Sequence, residues 1–484
     1  MIDTVLNILG VLAQLAALLL VVAVIRAIRA GFGARETVKK FAPTVDQAKA
    51  DETAGKLARM LAHETISGHG MTDMEKFNRF HQLMEELFPH VAGVAEKHNF
   101  DGALLWRVPG KDSSLPPLVL MSHMDVVEAT GQWSHPPFGG EIADGKVWGR
   151  GAVDTKGALC ALTQAIEELL AEGCTFTRDI YISSSNNEEI SGPGAPSAVA
   201  YLKERGIRPM LVLDEGGAIQ EASLPGIEGL FAMVGVMEKG HGDAKLVAKS
   251  TGGHASAPGK DTPLVRLGKC MAYIERKRPF RRDFTPAVRT MYSQLVPYMS
   301  FGYRILFANL WLFGPVLKRM MPSINLQMEA MLGTTCAFTM AQGSGGRNVI
   351  PQQAWVNCNL RFMSNQSSEE ALNVLRSIAA RFNIEVEYEG GRDSTPVTKI
   401  DSEGYGALVK ALEQVYPGVP AIPYVLVGGT DCRHFNEVSD SCVRFSPIYM
   451  SAQQMSAMHA IDENVDISAI AKAVEFYRQL IKNV

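Results

Sequence analysis

Seven side chains of this sequence are of types that hold metal ions and move protons: His123, Asp125, Asp154, Glu188, Glu189, Asp214 and His459. They fall in five short segments: His123-Met-Asp125, Asp154 inside GRGAVDTKG, the pair Glu188-Glu189, Asp214, and His459 near the end of the chain. Two imidazoles with several carboxylates make a donor set suited to a pair of zinc ions sharing a bridging carboxylate. Two such ions polarise a carbonyl and lower the pKa of a shared water, and a separate carboxylate must take the proton and return it to a leaving amine. Adjacent glutamates can divide this labour if one faces metal and the other faces water. Asp125, two residues after His123, is placed to accept the other ring N–H of that imidazole, which fixes its tautomer and raises its basicity.

Each segment alone has a bland reading. A lone His-x-Asp is usually an ordinary pair of surface side chains, Glu188-Glu189 reads as a solvated turn, and Asp214-Glu215 reads as a helix cap. The elements around them argue for more. Leu118-Val-Leu-Met121, Ile180-Tyr-Ile182 and Met210-Leu-Val-Leu213 are continuous apolar runs, the pattern of parallel strands covered on both faces. Helices are predicted between them, over Lys156 to Ala171 and Pro196 to Arg205, closed by Gly173 and Gly206. His123 follows the first strand by two residues, Glu188-Glu189 follow the second within a short loop, and Asp214 follows the third at once. Open parallel sheets bind ligands beyond the carboxyl ends of their strands. Three independent segments thus bring polar residues to one sheet edge.

Around Glu238 the texture changes. Asp243 to Lys249 is strand-like, followed by GGHASAP at 252 to 258 and a helix over Pro263 to Arg276. Thr335 to Gln342 and Ala354 to Phe362 read as an antiparallel pair around GSGGRNVIPQ, with a helix over Glu369 to Arg381 and the strand Ile384 to Tyr388. Strand, helix, strand, strand, helix, strand predicts a small ferredoxin-like α+β domain, over 238–390. An aromatic, apolar segment at 277–333 interrupts it. That segment reads as core or subunit contact in preference to membrane contact, because its uncharged run is too short to span a bilayer and Arg304 and Lys318 bracket it. After Gly391 the α/β texture returns, with Tyr424 to Val427 and Val443 to Phe445 as strands. The expectation is a mixed, mainly parallel α/β catalytic domain split into 51–237 and 391–484, with the second domain inserted.

The N-terminus is different again. Val5 to Ile25 is apolar except for Asn7, Gly10 and Gln14, and its 21 residues reach about 31 Å as a helix, enough to span a bilayer. No polar face recurs at helical spacing, which disfavours a core helix. A cleaved signal peptide is disfavoured by Asp3 as the charged residue before the run and by the lack of a small-residue cleavage site. An uncleaved single-pass anchor is expected, with a polar linker over 26–50. Arg26, Arg29, Arg35, Lys39 and Lys40 follow it, which by the positive-inside rule points the body to the cytoplasm and leaves the side open.

Composition bounds the remaining classes. At 484 residues, 46% hydrophobic and 20% charged, the chain is globular and large enough for at least two domains. A net charge of −4 without a basic stripe gives no nucleic-acid signal. The seven cysteines are scattered without CxxC spacing, so neither a cysteine zinc site nor a disulfide framework is expected. GRGAVDTKG lacks the spacing of either nucleotide-binding glycine motif.

The stretches LMSHMDVV, WSHPPFGGEIADGKVWGRGAVDTKGA, NNEEISG, LDEGG, GGHASAP, NVIP, GGTDCRHF and His459 with Glu463 resemble the aminoacylase and carboxypeptidase family of di-zinc exopeptidases. The resemblance runs from about residue 50 to the end. It is nearest to the branch with Gly-X carboxypeptidase (carboxypeptidase S) and N-fatty-acyl-amino-acid synthase/hydrolase. It implies two Zn2+ per subunit, with Co2+ or Mn2+ as substitutes. Asp154 would bridge them, His123 and Asp214 would complete one site, and Glu189 and His459 the other. Glu188 would be general base and acid, with Asp125 orienting His123 and a cis peptide at Asp154-Thr155. His254 of the inserted lid would stabilise the oxyanion, across a homodimer interface. Asn348, Arg361, Gly429, Thr430 and Arg433, with Asp431 of the same loop, are implied substrate contacts. The family's glycine after the last histidine is here Ala460. The implied activity is a metallocarboxypeptidase acting on small peptides. The alternative is an N-acyl, including fatty-acyl, amino acid amidohydrolase or synthase. A non-catalytic peptide- or lipid-binding homologue stands as the rival from another class.

Overall fold

The apolar runs form the middle of a nine-stranded mixed sheet in a computed structural model that describes residues 2–32, 36–68, 73–222 and 226–484. Arg35 lies outside the described residues. From one edge the sheet runs Glu96–Phe100, Ala103–Val108, Ile180–Ser184, Leu118–Met121, Leu211–Asp214, Cys442–Arg444, Leu230–Glu238 and Ala421–Leu426, with Ile219–Glu221 added on Leu230–Glu238. Leu118–Met121 pairs in parallel with Ile180–Ser184 and Leu211–Asp214, and Cys442–Arg444 extends that parallel core. Alternation along the central strand explains why it is apolar throughout. Leu118 and Leu120 join the core with the helices Lys156–Ala171 and Ile467–Asn483, while Val119 and Met121 join Ala195, Val199 and Leu202 of Gly194–Glu204 on the opposite face.

At Glu238 the chain leaves this sheet for another. His241–Lys249, Gln353–Arg361, Thr335–Gln342 and Glu385–Arg392 form a four-stranded antiparallel sheet, with the helices Pro263–Lys277 and Ser368–Ala380 packed on one face. In chain order this is strand, helix, strand, strand, helix, strand. The 277–333 segment folds into helices Pro286–Leu295, Phe301–Phe307, Leu310–Ile324 and Leu326–Leu332. They share a core with Ile227, Phe231, Met237, Ile422 and Val425 at the edge of the large sheet.

The N-terminal helix is longer than its apolar run. It covers Ile2–Gly31, 30 residues or about 45 Å. Residues 3–22 project from the body, while Ala23 and Ala27 are buried. There Asn309 Nδ2 donates to the Ala23 carbonyl at 3.0 Å and Arg26 Nη2 to the Ala308 carbonyl at 3.4 Å. The stretch 26–50 therefore differs from a free linker. Leu230 N donates to Val38 O at 2.7 Å, Val38 N donates to Gly418 O at 3.1 Å, and the helix Gln47–Ala62 begins within it and packs in the main core.

Candidate metal and hydrolase site

The carboxyl edge of the parallel strands carries residues from three segments, and Asp154 and His459 join them from elsewhere in the chain. His123 lies two residues beyond Leu118–Met121 and is buried. Its Nε2 is 3.0 Å from Asp154 Oδ1 and 3.7 Å from Glu215 Oε1. On the other side of Asp154, Oδ2 lies 2.9 Å from His459 Nε2, which is 3.2 Å from Glu189 Oε2. Two three-residue groups, His123-Asp154-Glu215 and Asp154-Glu189-His459, thus share one carboxylate.

The expectation at Asp214 moves by one residue. Asp214 ends its strand and turns its Oδ2 to the backbone N–H of Cys432 at 2.8 Å, while Glu215 faces His123. Successive strand residues point to opposite sides, so only one of the pair can face the imidazole. The spacing in LDEGG does not say which.

The loop carrying Asp154 is held by a carboxylate that spacing did not single out. Glu463 is fully buried and accepts the backbone N–H groups of Gly151, Val153 and Asp154 at 3.0, 2.8 and 3.0 Å, with Arg150 Nη1 at 2.7 Å. Gly151 has φ +92°, and a β-carbon there would come within 2.8 Å of Val126, so this turn requires glycine. The Asp154-Thr155 peptide is cis. Ala460 does not have the positive φ that a glycine would relieve; His459 itself does, at 58°.

Asp125 is more than a partner of His123. The ring Nδ1 lies nearer the Asp125 backbone carbonyl, at 2.8 Å, than its carboxylate, at 3.4 Å. The carboxylate accepts Ser67 Oγ at 2.7 Å and the backbone N–H groups of Glu188 and Glu189 at 3.1 and 3.2 Å. It therefore fixes the loop that presents both glutamates. Glu189 offers Oε2 to His459, and its buried Oε1 has no hydrogen-bond partner among the described residues. The Glu188 carboxyl is largely buried, which pushes its pKa up to about 8, with Arg433 Nη1 at 3.4 Å from Oε1.

The electrostatics of this cluster suit cations. Asp154 is buried, yet hydrogen bonds from His123 and His459 hold its carboxyl well below the usual range. Contacts with Asp154 and Glu189 push the His459 imidazole up to about 10. Burial pulls His123 down, and the Asp125 and Asp154 carboxylates outweigh it to keep the ring well above its ordinary value. The carboxylates thus draw a positive charge to each imidazole Nε2. A divalent ion supplies that charge and displaces the proton. With the unpartnered Glu189 oxygen and the nitrogen and oxygen donors on either side of Asp154, the residues fit two such ions.

The implied substrate residues divide into two sets. Thr430 and Arg433 are next to the cluster. Glu238 Oε1 accepts Thr430 Oγ1 at 2.8 Å, and Arg433 Nη1 donates to Thr430 O at 2.7 Å. Asp431 meets Ser185 through a short hydrogen bond, and burial pushes its pKa up to about 7. A β-carbon on Gly429 would lie 2.9 Å from Arg392 Nη2 and 3.7 Å from Arg433 Nη1, so glycine lets both guanidinium groups close in. Arg392 was not singled out from the sequence. It ends the strand Glu385–Arg392; burial and the positive charges of Arg433 and Arg361 bring it down to about 10. Arg361 lies on the neighbouring side of this basic group and is itself lowered by burial. Asn348 and His254 sit elsewhere. They are exposed on the two-stranded ribbon Gly253–His254 with Val349–Ile350, where Ala255 N donates to Asn348 O at 2.9 Å and His254 Nδ1 meets Ser256 Oγ at 2.7 Å.

The sequence and the fold both match known proteins. The sequence profile of Peptidase family M20/M25/M40 fits residues 119–483. The chain is 34% identical over 410 residues to the N-fatty-acyl-amino acid synthase/hydrolase PM20D1 of Xenopus tropicalis, covering 84% of this chain and 80% of that protein. It is 30% identical to probable carboxypeptidase S-like 2 of Dictyostelium discoideum, over 89% of this chain and 85% of the relative. Among solved structures, the M20 family metallo-carboxypeptidase Sso-CP2 of Sulfolobus solfataricus superposes with a TM-score of 0.65 at 21% identity, covering 89% of this chain and 99% of that one. Human carnosine dipeptidase 1 gives 0.63 at 14% identity, over 90% and 96%. The chain belongs to peptidase family M20/M25/M40, a family of metallopeptidases and amidohydrolases.

Proposed function

We propose that this protein is a di-zinc hydrolase of an amide bond next to a free carboxylate, acting as a carboxypeptidase on small peptides. The observation that carries this reading is Glu188, held beside His123 and Arg433 next to two histidine–carboxylate groups that share Asp154. His123, Asp154 and Glu215 would hold one ion, and Asp154, Glu189 and His459 the other, with Co2+ or Mn2+ as substitutes. When bound, the ions supply Lewis acidity towards the scissile carbonyl and towards water.

The chain's own residues do the rest. Glu188 takes a proton from the attacking water and delivers it to the leaving nitrogen. Asp125 holds the Glu188 and Glu189 backbone so that one carboxylate faces the metal side and the other the water side. Arg433 keeps the Glu188 carboxylate in place. Arg392 and Arg433 act on each other as like charges, and Glu238, the carboxylate 3.8 Å from Arg392, is also committed to Arg444 at 2.7 Å, which leaves positive charge in excess there. The carboxylate of a substrate relieves that excess, and a guanidinium fork suits it.

The four-stranded unit over 238–390 acts as a lid in this reading. His254 and Asn348, exposed on a ribbon that makes no hydrogen bond to the cluster's side chains among the described residues, would serve a neighbouring subunit's site in a homodimer. The helix Ile2–Gly31 anchors the enzyme in a membrane as a single span. Protease digestion of intact and opened spheroplasts tells which side holds the body. A second reading, hydrolysis of N-acyl amino acids, is favoured by the likeness to PM20D1 and by the apolar helices at 286–332.

Glu188→Gln tests the core of the proposal. Metal content is expected to stay at two per chain while turnover falls by roughly 10²–10⁴-fold or more. Turnover that survives the change removes Glu188 from the mechanism. Amino acid release from Cbz-Gly-Leu, compared with release from an N-fatty-acyl amino acid, separates the two substrate readings.

A further inference from the structure

We propose that the helical segment 286–332 is a lipid-facing platform whose apolar cavity holds one acyl chain of a bilayer lipid. The cavity has a volume of about 370 Å³, within the range of small-molecule pockets. Its floor is built from the buried side chains of Tyr292, Phe307, Leu317 and Met328. Its mouth is a stripe at four-residue spacing on the helix Leu310–Ile324: Val316, Met320 and Ile324 line the cavity yet are 56%, 52% and 44% exposed. Trp311 and Leu326, 50% and 73% exposed, extend the apolar surface at the two ends of this stripe.

What covers this surface follows from its neighbour. The same helices grip the N-terminal helix through Asn309 and Ala308, at Ala23 and Arg26, where its apolar run ends. Val38 then ties the following segment to the body from both sides. The body is therefore held next to the plane where the helix leaves hydrocarbon. Exposed Arg26, Arg29 and Arg319 on these elements suit anionic headgroups there. A charge-bracketed segment too short to span lies in the interface and buries its apolar face among acyl chains. Apolar lining without a charged side chain selects a hydrocarbon chain over a polar ligand.

The inference rests on the proposal that Ile2–Gly31 is a membrane span, and one experiment tests both. Full-length protein is reconstituted in phosphatidylcholine–phosphatidylglycerol vesicles carrying a trace of phosphatidylcholine with a diazirine in one acyl chain. After photolysis, adducts are mapped by peptide mass spectrometry. Adducts are expected on residues 5–22 and on Val316, Leu317, Met320 and Met328. Met320→Trp at the mouth and Leu317→Trp at the floor are each expected to reduce the cavity adducts about tenfold, the factor that about 1.4 kcal/mol supplies. Hydrolysis of Cbz-Gly-Leu by either variant at the parental rate shows that it has folded. Adducts on 5–22 without any in the cavity overturn this inference and leave the anchor standing. Adducts on neither overturn the anchor and the platform together. Cavity adducts displaced by an N-acyl amino acid but not by unlabelled phosphatidylcholine assign the cavity to substrate and overturn the lipid source. Dimers captured by a bifunctional amine cross-linker in the same vesicles, without lipid adducts on Met320, assign the face to self-association and overturn it too.

Discussion

Glu238 ties the two sheets to the site, and its removal has a calculable effect. It closes the strand Leu230–Glu238, where the chain crosses from the large sheet to the small one, and it is fully buried. Oε1 accepts Arg444 Nε at 2.7 Å and Thr430 Oγ1 at 2.8 Å; Oε2 accepts Thr430 N at 3.2 Å and lies 3.8 Å from Arg392 Nη2. Arg444 is equally buried, and its remaining polar contact is Nη1 to Cys442 O at 2.8 Å, with Nη2 already unpartnered among the described residues. Glu238→Leu therefore leaves a guanidinium charge inside the protein without a counter-charge. Breaking one side of a buried pair costs about 3–5 kcal/mol, a large share of a domain's usual 5–15 kcal/mol. Replacing both partners by apolar groups is often close to neutral. The double variant Glu238→Leu with Arg444→Met should thus recover most of the loss. Urea unfolding of detergent-solubilised protein, followed by tryptophan fluorescence and far-ultraviolet circular dichroism, measures all four corners of the cycle, and coincident transitions license the two-state analysis. The single variant should also raise KM, because the Gly429-Thr430 loop loses its anchor. A cost below about 1 kcal/mol for Glu238→Leu, or a double variant as unstable as the sum of the singles, refutes the argument that this pair is dry and coupled.

Glu215→Gln is expected to reduce bound metal to about one ion per chain, whereas Asp214→Asn should retain two; mass-spectrometric metal analysis checks this, and the reverse pattern returns the ligand role to Asp214. Arg392→Met should raise KM for a substrate with a free carboxylate by roughly 10–100-fold, the worth of a hydrogen bond to a charged group. An equal loss on the matching carboxamide would show that Arg392 does not read the carboxylate. His81 is buried with Nε2 on the Gly102 carbonyl at 3.0 Å, and burial lowers its pKa to about 4. The folded state then binds fewer protons than the unfolded state between pH 4 and the ordinary value of 6.5, so the stability His81 contributes is whole above 6.5 and is lost as pH falls towards 4. His81→Phe should flatten the fall of Tm across that window, and an unchanged slope counts against the buried neutral ring.

Much of the site was legible because the signals are local. An apolar run of strand length followed at once by a histidine or carboxylate fixes which end of a parallel sheet the group occupies, and His123, Glu188 and Glu189 came from that logic. Residues that act from a distance were not legible. The hold of Glu463 on the Asp154 loop spans some 310 positions, so family likeness marked the residue but not its partners; Arg392, from the second sheet, and Glu238, at the end of a strand of the large sheet, meet the Gly429 loop. Nothing in the neighbourhoods of Arg392 and Glu238 marks them, because a single buried carboxylate or a strand-terminal arginine looks the same whatever it meets.

By itself the sequence determined the donor chemistry, the order of strands and helices, the apolar helix at the start and the likeness to a family, since each rests on residue type, periodicity or run length. Only the tertiary structure decided that Glu215 and not Asp214 turns to His123, that Arg433 and Arg392 come beside Glu188, and that the 286–332 helices clasp the N-terminal helix. Side-chain facing in a strand alternates from one residue to the next, and its phase is set by register and by what packs above and below. Contacts between segments hundreds of residues apart arise where layers meet, and no local pattern records them.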